Sequence, residues 1–142
     1  MQIQEFMTRN PHAIQADDSC QHCAEQMRRH NIGAMPVFDF DRLTGMITDR
    51  DLVGGCMAAG HRASECSVRQ HMTADPVTIE PWASIEEALA KMADEQVRRL
   101  IVMENGGVAG IVSLGDLAVH AASSPDVARA LAEISQPVRV PV

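Results

Sequence analysis

The sequence is poor in aromatic residues: among its 142 residues there is no tyrosine, one tryptophan and three phenylalanines. A hydrophobic core must therefore be built from Val, Ile, Leu, Met and Ala. The hydrophobic content of 46% is ordinary for a globular protein and argues against a disordered chain. A chain of this length forms one compact domain, or two small units that share a core.

Basic residues are also few, because 12 Lys and Arg face 19 Asp and Glu and leave a net charge of −7. A nucleic-acid-binding protein needs a basic surface to neutralise phosphates, so no nucleic-acid partner is expected. No apolar run approaches the roughly 18 residues of a membrane span, so no membrane partner is expected either. The N-terminus lacks the basic and apolar regions of a secretory signal, and a cytoplasmic protein is therefore expected.

Cysteine is limited to four residues, of which Cys20 and Cys23 form a C-x-x-C around His22. This spacing occurs in redox pairs and in half of a zinc site. The structural alternative is that Cys23 fills the apolar face of a helix while Cys20 lies in its first turn. Cys56 and Cys66 are ten residues apart, which is not the spacing of a second ligand pair. Neither a metal site nor a redox function is therefore expected.

An internal repeat organises the chain. A shift of 65 residues aligns positions 5–52 with positions 70–117 without a gap, and ten of the 48 pairs are identical. Average composition would give about three identities by chance. The identical pairs are Met7/Met72, Thr8/Thr73, Pro11/Pro76, Ile14/Ile79, Ser19/Ser84, Met27/Met92, Val37/Val102, Gly45/Gly110, Asp51/Asp116 and Leu52/Leu117.

Each copy predicts the same order of elements: strand, helix, strand, strand, helix. A brief apolar strand follows a proline, and Ser19 or Ser84 then opens a helix. Two strands joined by a turn come next, and Asn105–Gly107 is a typical hairpin signal. A second helix is expected near position 49 and near position 114. One unit of about 50 residues buries too little surface alone. The expected fold class is therefore α/β (α+β), with two pseudo-twofold-related β-α-β-β-α repeats packed sheet to sheet.

Domain boundaries follow from this order. We expect repeat 1 at residues 1–59, a polar linker at 60–67, repeat 2 at 68–121, and a C-terminal helix and tail at 122–142. In the last region Pro125 behind Ser124 indicates a helix start, with Val127, Leu131 and Ile134 on one side. This helix is expected to pack on the module or on a partner subunit, and the last eight residues are expected to be irregular.

The most specific repeated motif reads GMITDRDL from position 45 and GIVSLGDL from position 110. Two interpretations of it stay open. Thr48 with Asp51, and Ser113 with Asp116, fit a capping box, which stabilises a helix start by about 1 kcal/mol. The same free N–H groups and helix dipole also favour a phosphate, and the carboxylate can accept two hydrogen bonds from a ribose diol. The glycine of each motif lets another chain segment or a ligand approach the strand closely.

This repeated order resembles the paired cystathionine-β-synthase-type (CBS) domains, a Bateman module, from about Glu5 to His120. The resemblance depends on the Met-Thr-x-x-Pro openings, the apolar strand before each turn and the G-h-h-[ST]-x-x-D-h motif in both halves. It implies a stand-alone regulatory module that senses an adenine nucleotide or adenosyl ligand in a cleft between the repeats. That ligand would be AMP, ADP, ATP, NAD or adenosylmethionine, with no cofactor required. Such modules usually form homodimers through their helices.

The family's pattern also implies roles for individual residues. The Asp would bind the ribose hydroxyls, the Ser or Thr would lie near the phosphates, and the backbone of the first strand would contact the base. Thr48 and Asp51 then mark one cleft, and Ser113 and Asp116 mark the other. The base-contacting residues would be His12, Ala13 and Ile14 in the first copy and Val77, Thr78 and Ile79 in the second.

The two clefts are not expected to be equal, because Arg98 and Arg99 precede a strand where copy one has Gly33 and Ala34. Related modules use basic residues here to hold phosphates, generally for the ligand of the other repeat's Asp, and guanidinium groups suit a forked contact with phosphate. The resemblance therefore favours the Asp51 cleft as the one that binds an anion, and the other cleft as empty or used for packing. The alternative for the arginines is a solvated face or pairing with acidic residues.

Two functions are consistent with the sequence, and a third, that of an enzyme, is not expected. The first is a homodimeric sensor that regulates an unidentified protein. The second is a ligand-free dimeric interaction or stress-response protein with vestigial clefts. An enzyme is not expected, because the sequence has no P-loop, G-x-G-x-x-G or H-E-x-x-H motif. His30 and His61 are interpreted as surface residues, and His71, which matches Phe6 by repeat position, as a packing or helix-end residue.

Overall fold

The structure is a computed structural model, of which residues 1–121 and 124–136 are described. In chain order the strands are β1 (Thr8–Arg9), β2 (Ile14–Gln15), β3 (Ala34–Asp39), β4 (Arg42–Thr48), β5 (Thr73–Ala74), β6 (Thr78–Ile79), β7 (Arg99–Glu104) and β8 (Gly107–Ser113). The helices are α1 (Cys20–His30), α2 (Asp49–Asp51), α3 (Ile85–Glu95), α4 (Leu114–His120) and α5 (Pro125–Ile134). A π-helical turn, Leu52–Met57, continues α2, and 3₁₀ turns lie at Ile3–Glu5, Ala63–Glu65 and Val68–Gln70. The last eight residues are predicted to be irregular, and those from 137 onward lie outside the described residues.

The chain divides into two compact units, each with one four-stranded sheet and flanking helices. The continuous unit is Pro11–Pro76, and the discontinuous unit joins Met1–Asn10 to the chain from Val77 onward. In both units a parallel strand pair is connected through a helix, and the next two strands form an antiparallel hairpin. The predicted α/β class is confirmed.

The Met-Thr opening of each copy lies in the sheet of the other copy. Strand β1 pairs antiparallel with β8, and β5 pairs antiparallel with β4. A Cβ atom on Gly45 would lie 2.7 Å from the carbonyl oxygen of Thr73, and one on Gly110 would lie 2.7 Å from that of Thr8. The close approach predicted for these glycines is therefore made by a strand of the protein itself.

Local signals define the remaining elements. The hydroxyl groups of Ser19 and Ser84 each accept a hydrogen bond of 3.0 Å from the backbone N–H three residues further on. These N-caps confirm the two predicted helix starts. In the β7–β8 hairpin, Asn105 and Gly106 have φ values of 52° and 78°, which is the left-handed backbone of a two-residue hairpin turn.

Each unit has its own apolar core. In the continuous unit it consists of Ile14, Ala16, Cys23, Met27, Met35, Val37, Ile47 and Val68. In the discontinuous unit the buried residues lie on β6, β7, β8, α3 and α4, together with Ile3 and Ala130.

Helix α5 contacts α3 and α4, as predicted for a helix that packs on the module. Ala130 provides its buried position, whereas Leu131, which was predicted on the same side as Val127 and Ile134, is 47% exposed. The buried side of α5 runs through Val127, Ala130 and Ile134 instead. Within the described ranges, no helix is both long enough and apolar enough to cross a membrane.

Candidate functional site

Both copies of the repeated motif form complete capping boxes. The Thr48 N–H donates to Asp51 Oδ2 over 2.9 Å, and the Asp51 N–H donates to Thr48 Oγ1 over 3.2 Å. Ser113 and Asp116 make the same two contacts, each of 3.1 Å. The capping interpretation is thereby confirmed for both motifs. The ligand-binding roles of these four residues stay predictions.

Arg98 and Arg99 lie at an open pocket of the discontinuous unit. Arg99 is paired across the hairpin with Ser113, and the carbonyl oxygen of Arg98 accepts a hydrogen bond of 2.8 Å from the Leu114 N–H. The pocket has a volume of about 430 Å³. Its lining is Arg98, Arg99, Ser113, Leu114, Gly115, Ala118, Val127 and Leu131.

Within the part of the chain that the structure describes, the guanidinium groups of these two arginines form no ion pair with a carboxylate. The ion pairs in residues 1–121 and 124–136 join Arg69 to Asp17 and Asp39, and Arg129 to Asp126. The predicted alternative of pairing with acidic residues therefore does not describe Arg98 or Arg99.

The predicted base-contacting segments lie in the two short parallel strands. Ile14 and Ile79 point into their cores and are almost fully buried. The carbonyl oxygen of Val77 accepts from the Ile101 N–H over 3.1 Å, and that of Thr78 accepts from the Lys91 ammonium group. The ring of His12 stacks on that of His30, with centroids 3.6 Å apart.

The predicted site residues are divided between the two units. Thr48, Asp51 and the segment His12–Ile14 belong to the continuous unit, whereas Arg98 and Arg99 belong to the discontinuous one. The assignment of Asp51 and the arginines to one ligand stays a prediction.

Five further residues, which were not predicted as a site, lie close together in the continuous unit, and we call them the Cys/His cluster: Cys20, Cys56, His61, Cys66 and His71. The ligand atoms of Cys20, Cys56 and His71 lie within 4.8 Å of one another, and so do those of His61, Cys66 and His71. The expectation of no metal site was drawn from the spacing of Cys56 and Cys66 and did not consider the histidines around them, and it stays a prediction. A sequence signal for this cluster exists when the histidines are included with the cysteines, because Cys56, His61, Cys66 and His71 follow one another at five-residue intervals.

The C-x-x-C pair is divided by the fold. Cys23 lies in the apolar core beside Met27, whereas Cys20 lies in the first turn of α1 and contacts Cys56 and Cys66. The structural interpretation of this pair is therefore confirmed. All four cysteines are free thiols.

Burial raises the pKa of the Cys20, Cys23 and Cys66 thiols. It raises the pKa of Cys20 to about 12, with a further contribution from the neighbouring Cys56, and it raises the pKa of Cys23 to about 11. Burial likewise raises the pKa of Cys66, again with help from Cys56. A reactive redox cysteine needs a lowered pKa, so Cys20, Cys23 and Cys66 do not have the character of redox nucleophiles.

Comparison with known proteins agrees with this architecture. The CBS domain family matches residues 3–57 and again residues 68–123. The chain belongs to the CBS-domain family. Its two matches form a tandem CBS pair, which confirms the resemblance seen in the repeat.

Similar CBS proteins match most of the chain. The CBS domain-containing protein YhcV of Bacillus subtilis is 36% identical over 133 residues, which cover 94% of each protein. The crystal structure of Hypoxic Response Protein I with two coordinated zinc ions is 33% identical, with a TM-score of 0.75, and the match covers 84% of this chain and 98% of that one. The crystal structure of CBSX2 in complex with AMP is 23% identical, with a TM-score of 0.71, over 86% of this chain and 96% of that one, and this likeness shows the fold alone.

Proposed function

We propose that the chain is a regulatory module whose CBS pair binds an adenine nucleotide or a related adenosyl ligand. The observation that carries the proposal is a pair of guanidinium groups, those of Arg98 and Arg99, which lie at an open pocket beside Ser113 and have no carboxylate partner among the described residues. Arginines left without carboxylate partners in a protein with a net charge of −7 suit an anionic ligand. The AMP held by CBSX2 supports the proposal at the level of the fold.

The ribose hydroxyls are assigned to the aspartates of the repeated motif. In each capping box, the hydrogen bond from the backbone uses only Oδ2 of Asp51 or Asp116. The second carboxylate oxygen can accept a hydrogen bond from a ribose hydroxyl without loss of the cap. The backbones of His12–Ile14 and Val77–Ile79 are assigned to the base.

Removal of both arginines tests the phosphate role. The protein is titrated calorimetrically with AMP, ADP, ATP, NAD and adenosylmethionine, and the best ligand is measured again with R98A/R99A. A charge-assisted hydrogen bond contributes about 1.5–3 kcal/mol, so phosphate-containing ligands should bind at least about tenfold more weakly. Adenosylmethionine has no phosphate and should lose much less affinity.

The control for this experiment is R28A/R29A, which removes an equal charge from the last turn of α1. It should bind every ligand as the wild type does. An equal loss of affinity in both double variants would mean that only the net charge matters, and would contradict the proposal.

A pair of asparagine variants identifies the aspartate that serves the ligand. D51N and D116N keep a side-chain oxygen for the cap but remove the negative charge. The sequence-based assignment predicts that D51N weakens binding and that D116N does not. The opposite result would place the ligand with Ser113 and Asp116, beside the arginines of their own unit.

A ligand-free interaction protein is the second candidate, favoured by the capping boxes, which explain both motifs without a ligand. If no adenosyl compound raises the melting temperature of the wild type, this candidate replaces the sensor. A homodimer and an unidentified regulated protein remain part of the proposal in either case.

A further inference from the structure

The Cys/His cluster is enclosed within the continuous unit. Cys20, Cys56 and Cys66 are exposed by only 1%, 2% and 6%, and their thiols contact one another. The Sγ atom of Cys20 donates to the Ser67 carbonyl over 3.5 Å, and that of Cys56 donates to the His61 carbonyl over 3.8 Å. The ligand atoms of Cys20 and Cys56 lie within 4.8 Å of that of His71, and the ligand atom of Cys66 also lies within 4.8 Å of that of His71.

His71 joins the two halves of the cluster. Its Nε2 atom is buried and has no hydrogen-bond partner among the described residues. Its Nδ1 side lies against the backbone of Gly55, where a Cβ atom would come within 2.7 Å. A buried ring nitrogen without a partner costs free energy unless another group binds it, which points to a ligand from outside the protein.

The other unit shows that the fold does not need these residue types. The 65-residue shift equates Cys20 with Ile85, Cys56 with Ala121 and His71 with Phe6. Ile85 is buried in the apolar core of the discontinuous unit, and Phe6 and Ala121 are partly buried and pack against that core. Apolar residues therefore fill this position of the repeat well, so a requirement of the fold does not explain the sulfur and imidazole groups.

We propose that Cys20, Cys56, Cys66 and His71 bind one zinc-class divalent cation. Cys₃His is an ordinary ligand set for structural zinc, and mixed sulfur and imidazole ligands favour zinc over magnesium or calcium. The three thiols lose their protons to solvent as the cation binds. The exposed His61 lies at the rim, within 4.8 Å of the ligand atoms of Cys66 and His71, and is not one of the four ligands.

The cation would connect three segments that are separate in sequence. Cys20 is at the start of α1, Cys56 is in the π-helical turn, and Cys66 and His71 flank the 3₁₀ turn Val68–Gln70. A π-helical turn often marks a functional site, and this one carries a ligand. Bound zinc should therefore increase the protection of residues 52–71 against hydrogen exchange.

The test uses the full chain, reduced with a phosphine and freed of metal with a chelator. Zinc is added back, the stoichiometry is read by native mass spectrometry, and the affinity is measured by competition with a chromogenic chelator. We expect one zinc per chain, and Co²⁺ in its place should give the visible bands of a tetrahedral thiolate site. Loss of a ligand in H71F or C56A should weaken binding by about 100-fold or more, since even outer-shell changes cost 10–100-fold.

The decisive variant is C20I/C56A/H71F, which carries the residues found at the equivalent positions of the other unit. It should fold, as judged by circular dichroism, bind no zinc, and show a melting temperature that chelator does not change. The melting temperature of the zinc-loaded wild type should fall when chelator is added. C23A removes a buried thiol outside the cluster and should bind zinc like the wild type.

Several results would overturn the proposal. One is a metal-free wild type that takes up no zinc under reducing conditions, and another is equal zinc affinity in the wild type and the triple variant. The ligand assignment would be overturned if H61N lost zinc binding while C20A bound zinc as tightly as the wild type. No nucleotide is used, so failure of the sensor proposal would not affect the outcome.

Discussion

At the residue scale, the repeated motif has a structural role in both copies. In each, a hydroxyl and a carboxylate satisfy two backbone N–H groups at the start of a helix, which would otherwise lack partners. Thr48 and Ser113 differ in sequence but provide the same hydroxyl, and Asp51 and Asp116 are identical, as this shared role requires. The proposed ligand binding uses residues that the fold already requires.

The caps lead to a prediction for stability. T48A and S113A should each lower the free energy of unfolding by about 1 kcal/mol, because each leaves one N–H group without its side-chain acceptor. D51N should cost less, since the asparagine oxygen still accepts from the Thr48 N–H. Urea denaturation measures all three variants. An unchanged stability in T48A, combined with weaker nucleotide binding, would mean that this hydroxyl serves the ligand alone.

At the element scale, the two shortest outer strands, β1 and β5, determine which segments of the chain belong to each of the two units. Strands β1 and β5 contain two residues each, yet they bring the Met-Thr openings into contact with β8 and β4. Close contact at Gly110 and Gly45 makes this pairing specific, because any side chain there would meet the backbone of the short strand.

This contact predicts the effect of a single methyl group. G45A and G110A should each destabilise the protein by about 1–3 kcal/mol, because the new Cβ atom would lie 2.7 Å from a backbone oxygen that cannot move freely. Thermal unfolding followed by circular dichroism measures the loss.

The matched control is G115A. Gly115 lies in the first turn of α4, and its nearest neighbour for a Cβ atom is the Ser113 hydroxyl at 3.7 Å. This substitution should be neutral or stabilising by about 0.5–1 kcal/mol, because alanine is the better helix former. Equal stability of G45A and the wild type would show that β5 is not held close to β4.

At the scale of the whole molecule, each unit exposes apolar side chains on its second helical segment. Met57, at the end of the π-helical turn, is 68% exposed, and Val119 in α4 is 78% exposed. Exposed apolar side chains on helices fit the expected homodimer, which the family resemblance places on helical faces.

Charged side chains introduced at these exposed apolar positions test the expected dimer. M57D/V119D should lower self-association, because burial of an unpaired carboxylate at an apolar interface is costly. Light scattering coupled to size exclusion should give a dimer mass for the wild type and a monomer mass for this variant. F40D changes the 84% exposed Phe40 of the β3–β4 turn and should remain dimeric. A monomeric wild type, or an unaffected M57D/V119D, would contradict a helix-mediated dimer.

The sequence by itself determined the elements and their duplication. Local hydrogen bonding and periodicity, which depend on residues close together in sequence, predict several elements. These are the helix starts at Ser19 and Ser84, the hairpin at Asn105 and both motif helices. The family resemblance came from the same local pattern, repeated at a fixed distance. The arginine pair was also recognised, because a charge is visible in any alignment of the two copies.

The tertiary structure alone decided which segments meet. A strand of two residues is too short to show a periodic pattern. The pairing of each Met-Thr opening with the sheet of the other copy, through β1 and β5, therefore could not be predicted from the sequence. The Cys/His cluster was hidden for a similar reason, since its ligands extend from Cys20 to His71. Proximity across such distances depends on packing of the whole unit, and no local spacing rule encodes it.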